Sequence, residues 1–320
     1  MSAVLAVTVP FFALVLAGYL AAQRRVLPEA AIPGLNAFVL YFALPAMLFR
    51  FGAETPILEL LNPVVLAVWL VCALLVVFVT IAFTLGRVNL KDAAFGALVA
   101  AFPNTGFMGV PLLVALLGPA AAGPVIAIVL ADLFVTTSLC IALAQAHDAS
   151  GGTRAAARRA LRGTLANPLP WAIAAGALFS VAGLALPGPL AEVVRLLADA
   201  ATPVALFTIG AVLWRAGQHA HTRTPLALYL PVAAVKLLLH PLLVFAVGAA
   251  AIQLGAPLSA FQLMVLTLAA ALPSASNVSL LAERYGADNG RVARIILAST
   301  AAAFVSFSLL AAVLGSPAAG

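Results

Sequence analysis

Between about Ala93 and Leu117 the chain is apolar for long enough to cross a bilayer, yet its middle reads Phe102-Pro103-Asn104-Thr105-Gly106. Proline removes a backbone donor and clashes with the preceding turn, and glycine disfavours helix, so the segment is predicted to break near Pro103–Gly106. In hydrocarbon such a break exposes backbone groups at high cost unless they meet protein or line a cavity. A second stretch of this kind, Ala270-Ala271-Leu272-Pro273-Ser274-Ala275-Ser276-Asn277, interrupts the apolar run from about Ser259 to Glu283. Pro273 lies 170 residues after Pro103, and each proline follows two alanines and one large apolar residue. Two interrupted spans at matching places in two halves of a membrane chain point to a transported ligand's binding site.

The membrane setting follows from composition. Of 320 residues, 65% are hydrophobic and 8% charged, whereas a soluble domain carries roughly 25% charged residues. The net charge of +6 therefore speaks through its placement and does not imply nucleic acid. Cys72 and Cys140 both fall in apolar runs, so neither a disulfide framework nor a cysteine metal site is expected. The first apolar run, from Ala3 to about Ala22, lacks a basic leader and a cleavage site and is read as a span.

Ten spans are predicted: Ala3–Ala22, about Ile32–Phe51, Pro63–Gly86, the first broken segment, Pro119–Gln145, about Pro168–Leu186, about Leu190–Trp214, about Pro225–Ala251, the second broken segment, and about Arg291–Leu314. All lysines and arginines except Arg50, Arg195 and Lys236 fall in connections after odd-numbered spans. Positive loops stay cytoplasmic, which predicts both termini on the non-cytoplasmic side. Five spans precede a polar linker and five follow it, giving a first repeat over 1–146, a cytoplasmic linker over 147–166 and a second repeat over 167–320. An odd number of spans per repeat inverts the second. Internal matches agree: Leu44-Pro45-Ala46-Met47-Leu48-Phe49 resembles Thr202-Pro203-Val204-Ala205-Leu206-Phe207, and Leu130-Ala131 parallels Leu297-Ala298. The expected fold is thus an all-α polytopic membrane protein, two inverted five-helix repeats with broken crossing helices four and nine.

A helix that restarts after a break presents free N–H groups and a partial positive charge of about +0.5. Asn104, Thr105, Ser274, Ser276 and Asn277 can add side-chain donors there, a neutral cradle for a carboxylate beside Pro103, Gly106 and Pro273. The same side chains could instead simply cap the broken backbone. Asp132 falls near the middle of span five, where a carboxyl group faces a cavity, binds a cation, carries a proton or serves a structural pair. Lys236, near the middle of span eight, could neutralise an anion, pair with Asp132 or hold the carbonyl end of a broken helix. His240 follows one turn later on the same face, as a packed ring or a proton relay. Glu192, Arg195 and Asp199 read as a solvated helix face. The charged run Glu283 to Arg294, the Arg154–Arg162 group and Thr222-Arg223 read as topology anchors. No phosphate loop, metal-ligand spacing or nucleophile–base pair suggests an enzyme.

Pro103-Asn104-Thr105-Gly106-Phe107-Met108-Gly109-Val110-Pro111, Lys236-Leu237-Leu238-Leu239-His240-Pro241, Pro273-Ser274-Ala275-Ser276-Asn277 and Leu281-Ala282-Glu283-Arg284-Tyr285-Gly286-Ala287-Asp288 resemble the auxin efflux carrier family over the whole chain. The resemblance implies a fold related to bile-acid/sodium symporters. Spans one, two, six and seven would form a scaffold that associates as a homodimer, and spans three to five and eight to ten would move as a transport unit. Pro103, Asn104, Pro273 and Asn277 would lie where the substrate carboxylate binds. The long central loop of the plant members is missing, so the chain resembles a prokaryotic-type member, whose substrates are more often small carboxylates such as malonate or malate than auxin.

The expected function is a secondary carrier of a small organic anion in a bacterial inner membrane, working by an elevator-like motion. No cofactor is expected beyond a proton or sodium ion for coupling, through Asp132, Lys236 or His240. The alternatives are a sodium-coupled symporter of larger amphipathic anions and a membrane receptor that binds a carboxylate without moving it.

Overall fold

A computed structural model describes residues 2–55, 62–146, 165, 167–218 and 224–314. Among these the chain is all-helical, without strands, and seven helices are long and apolar enough to cross a membrane. In chain order the rods are α1 (Ser2–Gln23), α2 (Glu29–Glu54), α3 (Pro63–Thr84), α4 (Leu90–Ala101), α5 (Thr105–Leu117), α6 (Pro119–Gln145), α7 (Pro168–Ala182), α8 (Gly188–Gln218), α9 (Leu226–Gln253), α10 (Ala260–Ala270), α11 (Val278–Tyr285) and α12 (Asn289–Leu314). The linker predicted over 147–166 lies, Leu165 apart, outside the described residues, as do Arg154, Arg158, Arg159, Arg162, Thr222 and Arg223.

Helix starts follow local chemistry. Asn62 caps α3 by accepting from the N–H groups of Val64 and Val65, with Pro63 at the first helical position where its missing donor does no harm. Asn89 caps α4 and Asn167 caps α7 in the same way. Ser259 and Gln262 form a reciprocal capping box at α10. Gly183 and Gly286 close α7 and α11 with φ of 62° and 67°, a left-handed conformation that glycine adopts without a Cβ penalty.

The rods pack in two groups. In one, α1 lies against α8 and α2 against α7 and α8. These contacts are backbone to backbone. A Cβ on Gly210 would sit 1.8 Å from the Val15 carbonyl oxygen, and one on Gly176 would sit 2.2 Å from that of Phe49. Small residues let helices approach closely where lipid offers no hydrophobic drive for association. In the other group α3, α4 and α6 pack together and α9 binds α10 and α12. Large apolar side chains such as Phe78, Trp171, Leu178 and Val181 point outward, as expected of faces that meet hydrocarbon.

Two local findings refine the sequence reading. The helix around Thr202-Pro203 runs unbroken from Gly188 to Gln218. On its first turns Arg195 bonds Glu192 (Nε–Oε2 2.9 Å) and Asp199 (Nη1–Oδ2 2.7 Å), an exposed ladder that fits the expected solvated face. Arg291, read as a topology anchor, is instead buried. Its guanidinium donates to the carbonyls of Leu228 (2.9 Å) and Asp92 (2.8 Å), in a notch left by Gly96. Asp92 in turn accepts from the Asp288 N–H, so the turn between α11 and α12 is fastened to α4.

Candidate functional site

Both predicted interruptions are present, and they meet. α4 ends at Ala101 and α5 begins at Thr105; α10 ends at Ala270 and α11 begins at Val278. Phe102, at φ −101° and ψ 97°, is extended. The freed backbone pairs across the gap: the Asn104 N–H donates to the Pro273 carbonyl at 2.8 Å, and the Ala275 N–H donates to the Phe102 carbonyl at 3.0 Å. The two prolines have no N–H to satisfy. Each break thus supplies what the other lacks, which is how irregular backbone survives away from water.

Further contacts hold the geometry. The Asn104 carbonyl accepts from both Met108 (3.0 Å) and Gly109 (2.9 Å), opening α5 with a π-helical turn over Thr105–Gly109. The Ser274 N–H donates to the Ser299 hydroxyl of α12 at 3.2 Å. Asn104, Thr105, Ser274 and Ser276 are all buried. Neither Asn104 nor Asn277 makes a side-chain capping bond to the helix it precedes. The Asn277 Oδ1 and Ser274 Oγ are buried without a hydrogen-bond partner. Plain capping therefore leaves these groups unaccounted for, and buried polar atoms without partners are costly.

Behind the crossing lies a buried polar chain. Asp132 opens a π-helical turn in α6, and its Oδ1 accepts from Trp69 Nε1 of α3 and from the Thr136 hydroxyl, each at 3.0 Å. Its Oδ2 has no hydrogen-bond partner. The Trp69 ring packs on that of His240, centroids 5.1 Å apart. Lys236, in a π-helical turn of α9, donates to the carbonyl of Ala270, the last residue of α10, at 2.5 Å, and its Nζ lies 3.4 Å from His240 Nδ1. Of the three roles open to Lys236, the structure supports holding the carbonyl end of the broken helix, where a cation complements the helix dipole. π turns recur at functional sites, and two of these begin at or contain the buried charges.

Beside the crossing is a cavity of about 270 Å³. Phe102, Phe107 and Asn277 line it, together with Thr137 of α6, Asn36 of α2 and Arg284 of α11. It thus lies between the two packing groups.

Over residues 3–311 the chain matches the profile of the family described as membrane transport protein. The chain belongs to that family. It is the auxin efflux carrier family that the motifs resemble. A protein of Rhizobium meliloti named "Putative malonate transporter" is 29% identical over 303 residues, covering 94% of this chain and 92% of its own. An uncharacterized transporter of Escherichia coli strain K12 is 27% identical over 283 residues, 86% of each chain. Another, from Methanothermobacter thermautotrophicus, is 27% identical over 306 residues, 94% of this chain and 95% of its own. As a membrane transport protein, the chain is an integral membrane protein.

The residues singled out in the sequence at the two interruptions meet in the structure, and Lys236, beside His240, bonds the end of one of them. Trp69, Thr136, Thr137 and Ser299, which contact these residues or line the cavity beside them, were not singled out as site residues. Thr136 had a readable signal, four residues after Asp132 on one helix face. Trp69 had none, lying 63 residues from its carboxylate partner.

Proposed function

We propose that this membrane transport protein is a secondary carrier of a small organic anion, built as ten spans in two inverted five-helix repeats. α4 with α5 and α10 with α11 are the two crossing spans. The glycine contacts support the inverted symmetry: span one meets span seven through Gly18 and Gly210, and span six meets span two through Gly176 and Gly52. Inverting the chain exchanges the two pairs. The group formed by α1, α2, α7 and α8 is the scaffold, through which a homodimer forms, and the other rods move against it as an elevator. Both termini lie on the non-cytoplasmic side of a bacterial inner membrane.

The carboxylate sits at the crossing, between the N-terminal ends of α5 and α11, with Asn104, Thr105, Ser274, Ser276 and Asn277 as side-chain donors. Pro103, Gly106 and Pro273 keep the backbone open there. Asp132 carries the coupling proton or sodium ion; Lys236 and His240 balance charge. The reading rests on one observation above all: two broken helices bridged by reciprocal backbone bonds, with neither the Asn104 nor the Asn277 side chain spent on capping the helix it precedes. A cavity of about 270 Å³ favours a small anion over a large amphipathic one, since drug-sized ligands occupy roughly 300–1,000 Å³.

The test is counterflow of labelled malonate in liposomes holding the purified chain, with an imposed pH or sodium gradient. Wild type is expected to exchange, and Asn104→Ala and Asn277→Ala are each expected to lose exchange while still inserting. Wild-type exchange in both variants overturns the site; binding without exchange in wild type makes the protein a receptor.

A further inference from the structure

We infer that Arg284 recognises a second carboxylate, making the carrier selective for short diacids over monoacids. The inference rests on the carboxylate site proposed at the crossing and adds the far end of the ligand.

Asn277 and Arg284 are seven residues apart on one face of α11, so their backbones lie about 10 Å from one another along the helix. Both line the same cavity. Arg284 is exposed, its guanidinium carbon 5.9 Å from the Tyr285 ring centroid, and Tyr285 packs on Phe95 of α4. It makes no ion pair with a described carboxylate. In a cavity that also holds the buried, unpartnered Thr137 hydroxyl and Asn277 amide oxygen, it is the one cationic group among the described residues. Leu133, Ile141 and Leu280 supply apolar wall between the ends.

A ligand with one carboxylate at the crossing and a methylene body therefore shares its cavity with a guanidinium and an unpartnered hydroxyl. A second carboxylate satisfies both, and guanidinium–carboxylate bonds are the strong, charge-assisted kind. A monoacid leaves the Thr137 hydroxyl against a hydrocarbon tail and the arginine to water.

The experiment is counterflow of labelled malonate in liposomes, competed by unlabelled malonate or by propionate, an acid of the same carbon count with one charge fewer. In wild type malonate competes at lower concentration than propionate. Arg284→Gln raises the malonate concentration needed by about ten- to a hundredfold and leaves that of propionate unchanged; Arg284→Lys restores part of the preference. Thermal unfolding of the variants in detergent shows that they are folded. Equal shifts for both acids, or no shift with exchange intact, overturn the inference while the carboxylate site stands. A wild-type protein that exchanges or binds neither acid removes the carrier reading, and this inference with it.

Discussion

The two breaks do the same job with different means. The first is short: only Phe102, Pro103 and Asn104 separate α4 from α5, and Asn104's own carbonyl takes the N–H groups of Met108 and Gly109, the last two residues of the π turn that follows. The second spans Ala271 to Asn277 and draws on other helices, with Ser299 of α12 accepting from Ser274 and Lys236 of α9 holding the Ala270 carbonyl. Apart from its exchange with the second break, the first closes on its own backbone. The second is assembled from α9 and α12, so its shape can respond to what happens in those helices. Coupling between a buried charge and the proposed anion site would have a physical route there, through the Lys236 bond to Ala270.

The strongest way to break this asymmetry is Lys236→Met. It keeps the volume of the stem and removes the ammonium that bonds Ala270, leaving a buried carbonyl unpaired. A hydrogen bond to a charged group contributes about 1.5–3 kcal/mol, so the variant is expected to unfold at lower temperature and to lose exchange. If Lys236→Met exchanges like wild type, the second break does not depend on α9.

Much of this was legible in the chain, for reasons that are physical. A proline followed by a cluster of small polar residues announces a break in an apolar run, whereas Pro203, followed by Val204-Ala205-Leu206, leaves its helix whole, so Pro103 and Pro273 pair in the sequence itself. Charges in hydrocarbon are rare enough that Asp132 and Lys236 stood out. What they touch could not be read: Trp69 and Ser299 look like any aromatic or small polar residue of a membrane helix, and only tertiary packing brings them to Asp132 and Ser274. The same limit applies to Arg291, whose place after a charged turn suggested solvent while the Gly96 notch buries it. Glycine contacts such as Gly18 with Phe207 are also tertiary facts, since a glycine in a membrane helix carries no sign of what it faces.

A smaller effect is expected from Ser299→Ala. The Ser274 N–H loses its acceptor, a cost of about 1–3 kcal/mol for a buried donor left alone, while the removed hydroxyl also frees the Ile296 carbonyl it bonded. Exchange should persist at a reduced rate, because the two backbone bonds across the crossing remain. Complete loss of exchange would mean that Ser299 does more than support the turn; an unchanged melting temperature and rate would mean that the second break, like the first, stands without its neighbour.

Gly109→Ala probes the point where the breaks touch through side chains and should have the smallest consequence. An added Cβ would lie 2.7 Å from the Leu272 Cδ1, the tip of a side chain that can rotate, and alanine gains about 1 kcal/mol of helix propensity over glycine. Leu272 is buried and packed, so turning it carries a cost of similar size. The two nearly cancel, and the variant is expected to melt within about 1 kcal/mol of wild type and to exchange normally. A loss as large as that of Lys236→Met would show that Leu272 is fixed, and that the second break is held by the first as firmly as by α9 and α12. The two breaks would then form a single rigid crossing.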